Sequence, residues 1–124
     1  MKAKILIADD DKEIVKVLTI GLEARGFEVI VARDAMQTFM YTRQHAPAAI
    51  LLDITMPGGS GLDVLKRLKS APQTMSIPVV IVSGNADADM PKKVKDMGAA
   101  EYIAKPFDFQ HVHDVICKLI GKTS

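Results

Sequence analysis

The sequence predicts an α/β domain in which a five-stranded parallel sheet is covered by helices on both faces. Five short apolar runs alternate with five segments of helical periodicity, which is typical of repeated βα units. The apolar runs are continuous rather than alternating, as in strands that are buried on both sides. A length of 124 residues suits one domain, and no linker-like stretch interrupts the alternation. We therefore expect one domain over residues 1–124.

The first half of the chain supplies three predicted strands, at residues 5–8, 27–31 and 48–52. The helix between the first two has an apolar stripe of Ile14, Val17, Leu18, Gly21 and Leu22. Gly26 is expected to end this helix, because glycine tolerates left-handed geometry.

The second predicted helix begins after Asp34, whose carboxylate can accept a hydrogen bond from a free N–H of the first turn. It ends before Pro47, which cannot continue a helix. The apolar face of this helix is expected to include Met36, Phe39 and Met40.

The second half supplies two more strands, at residues 77–82 and 102–104, each flanked by helices. Ser60 is expected to cap the third helix, and Asp87 or Asp89 to begin a short fourth helix with Pro91 in its first turn. The residues expected to face the core from these three helices are Leu62, Leu65, Leu68, Val94, Met97, Val112, Val115, Ile116, Leu119 and Ile120.

Composition excludes several classes of protein. The net charge of +1 is too small to indicate a nucleic-acid or membrane partner through bulk electrostatics. The single cysteine, Cys117, rules out an intramolecular disulfide and a cysteine-based zinc site. No apolar run reaches the length of a membrane span, and the N-terminus lacks the apolar core of a signal peptide. We therefore expect a cytoplasmic protein.

Acidic residues follow two of the predicted strands directly. Asp9, Asp10 and Asp11 come after the first strand, and Asp53 after the third. If those strands are neighbours, at least three carboxylates meet at the carboxyl edge of the sheet, which is where ligands bind in such folds. Because like charges repel unless a divalent cation joins them, this arrangement favours Mg²⁺, which prefers oxygen ligands.

The remaining strand ends add groups that suit a phosphoryl site. Ser83 offers a hydroxyl after the fourth strand, and Gly84 beside it leaves room for a bulky anion. Lys105 brings a positive charge to the same edge after the fifth strand. Phosphoryl transfer depends chiefly on positioning and charge stabilisation, and aspartate can act as the accepting nucleophile.

Four sequence blocks together resemble the receiver domain of bacterial two-component response regulators, over essentially the whole chain. The blocks are Leu-Ile-Ala-Asp-Asp-Asp (6–11), Leu-Leu-Asp-Ile-Thr-Met-Pro-Gly-Gly-Ser-Gly (51–61), Val-Ser-Gly (82–84) and Gly-Ala-Ala-Glu-Tyr-Ile-Ala-Lys-Pro-Phe (98–107). The resemblance implies a flavodoxin-like (βα)5 fold with strand order 2-1-3-4-5. It also implies a signalling module that catalyses its own phosphorylation and dephosphorylation and no other reaction.

The resemblance implies a role for each site residue. Asp53 would accept phosphate from a phosphohistidine on a histidine kinase or a phosphotransfer protein. Asp10, Asp53 and the Thr55 backbone carbonyl would ligate Mg²⁺, with Asp9 acting mainly through water. Ser83 and Lys105 would contact phosphoryl oxygens, and the Lys105–Pro106 peptide bond would be cis.

The resemblance also implies a switch. Tyr102 would turn inward when Ser83 moves toward the phosphoryl group, altering the surface of the fourth helix, fifth strand and fifth helix, where an unknown downstream protein would bind. The side chains of Thr55 and Asn85 would tune phosphate hydrolysis. A monomer and a phosphorylation-dependent dimer are both compatible with the sequence.

Other functions stay open at this stage. An aspartyl-phosphate phosphatase of the haloacid dehalogenase type would carry a second acid two residues after the nucleophile, where this chain has Thr55. A flavin-binding module would need a hydroxyl- and glycine-rich loop after the first strand, where this chain has three acids. No residues follow the fifth helix that could form a DNA-binding domain, but the sequence could be a receiver cut from a hybrid histidine kinase or a longer transcription factor.

Overall fold

A computed structural model of the chain describes residues 2–55, 61–84 and 87–121. Five strands alternate with five helices: β1 Lys4–Ala8, α1 Lys12–Ala24, β2 Glu28–Ala32, α2 Ala35–His45, β3 Ala49–Leu52, α3 Gly61–Ser70, β4 Val79–Ser83, α4 Met90–Asp96, β5 Glu101–Ala104 and α5 Phe109–Ile120. All strand pairs are parallel, and the strand order is β2-β1-β3-β4-β5. The predicted fold class and strand order are therefore confirmed.

The sheet separates two apolar cores. One core packs α3 and α4, with part of α2, against alternate sheet residues such as Leu6 and Ile50. The other packs α1 and α5 against the intervening residues, including Ile5 and Leu51. Both faces of the central strands are therefore buried, which is why their sequences are continuously apolar.

Most helix boundaries follow the local signals in the sequence. Asp11, Asp34 and Asp108 cap α1, α2 and α5 by accepting hydrogen bonds from N–H groups of the first turn. Gly26 follows the end of α1 with a positive φ of 89°, as expected. The predicted cap at Ser60, the loop at residues 56–60, Asn85 and the tail at residues 122–124 lie outside the described residues.

The predicted apolar faces of α1 and α2 are wrong in part. Val17 is 53% exposed, and Met36 and Met40 are 71% and 52% exposed. The fully buried residues of α2 are Thr38 and Thr42, whereas the predicted Phe39 is half-buried against the same core. Thr38 is compatible with burial because its hydroxyl donates to the Asp34 carbonyl at 2.8 Å, so hydrophobicity alone does not identify the most buried residues of this helix.

The predicted stripe of α5 packs against the core, and this helix also buries His113 and Cys117. Its buried residues are Val112, His113, Ile116 and Cys117, whereas Val115, Leu119 and Ile120 are half-buried. No helix within the described ranges is long and apolar enough to cross a membrane.

Candidate functional site

Two buried carboxylates lie side by side at the carboxyl edge of the sheet. Asp9 follows β1, Asp53 follows the adjacent β3, and each is 3% exposed. The Asp53 backbone N–H donates to the Ala8 carbonyl at 2.8 Å, which extends the pairing of the two strands to the site. Strand adjacency therefore brings together residues that are far apart in the sequence.

Lys105 joins the two carboxylates from the far side of the site. Its Nζ lies 3.1 Å from Asp9 Oδ2 and 3.2 Å from Asp53 Oδ2. The Lys105 backbone N–H donates to the Ser83 carbonyl at 2.8 Å, and the Lys105–Pro106 peptide bond is cis, as the resemblance implied. One ammonium group thus sits between two buried acids, where its charge is shielded little by solvent.

Thr55 fixes the other oxygen of Asp53. Asp53 Oδ1 accepts a hydrogen bond from the Thr55 N–H at 2.9 Å and another from Thr55 Oγ1 at 2.7 Å. The hydroxyl contact was not predicted. A hydroxyl two residues after an acid at a strand end is a recognisable sequence signal for such a turn.

The two buried acids have opposite electrostatic environments. Burial raises the pKa of Asp9, and the charge of Asp53 adds to that effect. Burial also acts to raise the pKa of Asp53, but the hydrogen bonds from Thr55 and the charge of Lys105 outweigh it, so this pKa is lowered. The pKa of Lys105 is raised: burial opposes that shift, but the bonds to Asp9 and Asp53 prevail. Asp53 is consequently held ionised.

Asp10 completes an acidic cluster suited to a metal ion. One carboxylate oxygen from each of Asp9, Asp10 and Asp53 lies within 4.8 Å of the others. Asp10 is exposed, so the cluster is open to solvent on one side. Hard oxygen donors around an open position match the coordination of Mg²⁺, which retains several waters. The residues present therefore fit the predicted Mg²⁺ site.

Ser83 lies on β4, which is adjacent to β3, and Tyr102 lies on β5, which is adjacent to β4. Ser83 is the last residue of β4, is fully buried, and pairs in register with Ala104. Tyr102 pairs with Ile81 and is half-buried against the core beneath α3 and α4. All seven predicted site residues therefore belong to the carboxyl edge or to its adjoining strands, although their individual roles stay predictions.

An apolar cleft beside the carboxylates was missed by the sequence analysis. It has a volume of about 260 Å³ and lies between the start of α1 and the loop after β5, where Lys105 forms part of its wall. Its other lining residues are Glu13, Ile14, Val17, Pro106 and Phe107. The sequence did not indicate this cleft because Val17, which lines it, fits the helical pattern of a core residue.

The chain resembles known proteins over nearly its full length. Residues 5–117 match the family described as the response regulator receiver domain. The chain is 32% identical over 120 residues to sporulation initiation phosphotransferase F of Bacillus subtilis, covering 97% of this chain and 95% of that protein. It is 38% identical over 109 residues to response regulator GtcR of Aneurinibacillus migulanus, covering 87% of this chain but only 43% of that protein.

A solved structure supports the same relationship. The receiver domain protein of Methanospirillum hungatei superimposes with a TM-score of 0.89 at 25% identity, covering 98% of this chain and 95% of that one. The similarity therefore extends from the sequence blocks at the strand ends to the whole arrangement of sheet and helices.

Proposed function

This chain belongs to the family of response regulator receiver domains, and from that premise we propose that Asp53 accepts a phosphoryl group from a phosphohistidine of a histidine kinase or phosphotransfer protein. The observation that carries this proposal is the placement of Asp53. Its carboxylate is buried, ionised, oriented by Thr55 and paired with Lys105 at the carboxyl edge of the sheet. An oriented anion beside a fixed cation is suited to attack on phosphorus.

The transfer forms a bond between phosphorus and an Asp53 oxygen and breaks the bond between phosphorus and the donor nitrogen. Lys105, already 3.2 Å from Asp53 Oδ2, would neutralise charge on a phosphoryl oxygen. The Ser83 hydroxyl would donate to another oxygen from the end of β4. Mg²⁺ held by Asp10, Asp53 and the Thr55 carbonyl, with Asp9 acting through water, would supply electrostatic stabilisation of the transferring group.

The donor protein would dock on the outer side of α1. Val17 and Ile20 are 53% and 60% exposed, and Val17 also lines the cleft beside Lys105. Exposed apolar side chains next to a reactive carboxylate suit a macromolecular donor better than a small one, because they offer contact area outside the reacting centre.

The output would arise on the face of α4, β5 and α5. New phosphoryl oxygens would draw the Ser83 hydroxyl toward Asp53, and Tyr102 on the neighbouring strand would fill the space left behind. This is a two-state rearrangement in which the phosphoryl group favours one packing of Tyr102.

Intact mass spectrometry after incubation with acetyl phosphate tests the acceptor role. We expect one added phosphoryl group in the presence of Mg²⁺ and none after chelation. Asp53→Ala should give no adduct, whereas Asp63→Ala, which removes an exposed carboxylate from α3, should behave like the wild type. A folded Asp53→Ala protein that is still phosphorylated to the same extent would refute the assignment.

A further inference from the structure

A cationic groove separates α2 from α3, away from the acidic cluster. Its narrow part has a volume of about 110 Å³ and is lined by Phe39, Arg43, Arg67, Ala71 and Thr74. A wider continuation of about 630 Å³ shares Arg67 and Ala71 and is also lined by Asp63, Lys66 and Ser70. Three cations against one carboxylate make the groove locally positive, although the chain as a whole is nearly neutral.

One arginine in the groove is already ordered. The Arg67 guanidinium lies 4.0 Å from the centroid of the Phe39 ring, in a cation–π contact between α3 and α2. Stacking on a ring leaves the edge of the guanidinium, with its N–H donors, available to a planar carboxylate. Neither Arg43 nor Arg67 forms an ion pair with any residue in the described ranges. The charge is therefore not neutralised within this part of the chain.

Two exposed apolar side chains of α2 neighbour the groove residues Phe39 and Arg43 on the helix surface. Met36 and Met40 are among the most exposed large apolar residues of the chain, at 71% and 52%. With Arg43 they follow i, i+4, i+7 spacing, so the three share one stripe, and Phe39 lies beside it. Methionine is flexible and packs against varied apolar partners, which makes it common on adaptable binding surfaces.

Helix electrostatics do not account for this combination. Arg43 and Arg67 each lie in the last turn of a helix, where a positive charge is favourable. That effect requires neither an aromatic platform under Arg67 nor two solvent-facing methionines beside Arg43. A bound segment with both carboxylates and apolar groups could pair with the two arginines and cover the two methionines.

We propose that the α2–α3 groove, together with the adjacent exposed Met36 and Met40 of α2, binds an acidic segment of a partner protein that also carries apolar side chains. Carboxylates of the segment would contact the two guanidinium groups, and its apolar side chains would cover the methionines. The groove lies across the sheet from α1, so this partner could bind while a phosphodonor occupies the α1 side.

Titration of ¹⁵N-labelled protein with a synthetic amphipathic helix built from glutamate and leucine tests the proposal. We expect shift changes concentrated in α2 and α3, weakened by salt, and no comparable binding by the same peptide with lysine in place of glutamate. The Arg43→Gln/Arg67→Gln variant should bind about tenfold more weakly. Met36→Ser/Met40→Ser should also bind more weakly.

The matched control removes two exposed lysines elsewhere, Lys2→Gln/Lys118→Gln, and should bind like the wild type. Acetyl phosphate labelling of every variant checks that the fold and the Asp53 site are intact, independently of peptide binding. Equal binding of both peptides, shift changes centred on α1 or α4, an unchanged affinity in the arginine variant, or no binding at millimolar peptide would each overturn the proposal.

Discussion

Asp9 and Asp53 are equally buried, but their carboxylate oxygens have different hydrogen-bond partners. Asp53 receives two hydrogen bonds from Thr55 besides its contact with Lys105, whereas Asp9 receives one N–H bond, from Asp11, besides the same lysine. The pKa of Asp53 is consequently lowered and that of Asp9 raised. The neighbours of Asp53, the proposed phosphoryl acceptor, favour its anionic form, whereas the charged form of Asp9 is less well compensated for its burial.

Asp10 is the acid at which the repulsion among the three clustered carboxylates can be tested, because the ion pairs of Lys105 are with Asp9 and Asp53. We expect Asp10→Asn to raise the free energy of unfolding by about 1 kcal/mol in the absence of divalent cations, because one of three neighbouring negative charges is removed. Mg²⁺ should stabilise the wild type, by about 2.7 kcal/mol at a hundredfold excess over its dissociation constant, and the variant much less. Urea unfolding with chelator and with Mg²⁺ measures both effects.

The control for this experiment is Glu23→Gln, which removes an exposed carboxylate from α1 far along the helix from the cluster. Its response to Mg²⁺ should equal that of the wild type. If Mg²⁺ stabilises Asp10→Asn as strongly as the wild type, the cluster does not hold the ion through Asp10.

At the residue scale, the sequence indicated the site through position along the strands. Each predicted acid, hydroxyl or ammonium group stands at or next to a strand end, and the parallel sheet then makes them neighbours. The contact of the Thr55 hydroxyl with Asp53 was not predicted, because the spacing of the acid and the hydroxyl indicates a turn but not the rotamer that brings the hydroxyl to the carboxylate. His113 was likewise not recognised as a buried residue, since a histidine carries no clear hydrophobic signal.

Among the elements, α3 is tied most closely to the site. The Gly61 N–H donates to the Ile54 carbonyl at 3.1 Å, and a side chain at Gly61 would overlap the backbone of Ile54. Ile54 lies between Asp53 and Thr55, so the start of α3 packs directly against the turn that orients the Asp53 carboxylate. The glycine is thus required by close approach of two backbone segments.

Gly61→Ala should therefore destabilise the protein by about 1–3 kcal/mol, because the overlapping atoms belong to backbone and cannot rotate away. Mg²⁺-dependent phosphorylation by acetyl phosphate should also slow, since moving Ile54 displaces Thr55. Gly84→Ala is the comparison for stability, because among the described residues none but its chain neighbours lies within 4 Å of the added methyl group. Equal stability of Gly61→Ala and the wild type in thermal unfolding would contradict the close approach.

Helix α2 shows that the hydrophobicity of its residues does not always predict which of them are buried. Its core side carries Thr38 and Thr42, and its solvent side carries two methionines. The Thr42 hydroxyl has no hydrogen-bond partner within the described residues, so burial there is not explained by polar pairing. Packing against the sheet places Ala35, Phe39 and Tyr41 partly against the core beside the two threonines, so only the two methionines depart from the predicted apolar face.

At the scale of the whole molecule, the sheet separates the two surfaces proposed to bind different partners. Helices α1 and α5 cover one face, whereas α2, α3 and α4 cover the other, and the acidic cluster lies at the edge between them. This topology was predictable because continuous apolar runs and regular alternation leave few arrangements of a parallel sheet. The surfaces themselves were not, because exposure of Val17, Ile20, Met36 and Met40 depends on how each helix is rotated.

Variants of the α1 surface distinguish docking of the phosphodonor protein from the phosphoryl transfer itself. In Val17→Ser/Ile20→Ser, phosphotransfer from any histidine kinase that labels the wild type should slow by about tenfold, because apolar contact area is lost from the docking surface. Labelling by acetyl phosphate should hardly change, since neither side chain contacts Asp53, and stability should stay within about 0.5 kcal/mol. Met75→Ser, at another residue that is 53% exposed, should leave both rates unaltered. Parallel loss of both rates in the α1 variant would mean that these residues support the reacting centre, and the donor would then have to dock elsewhere.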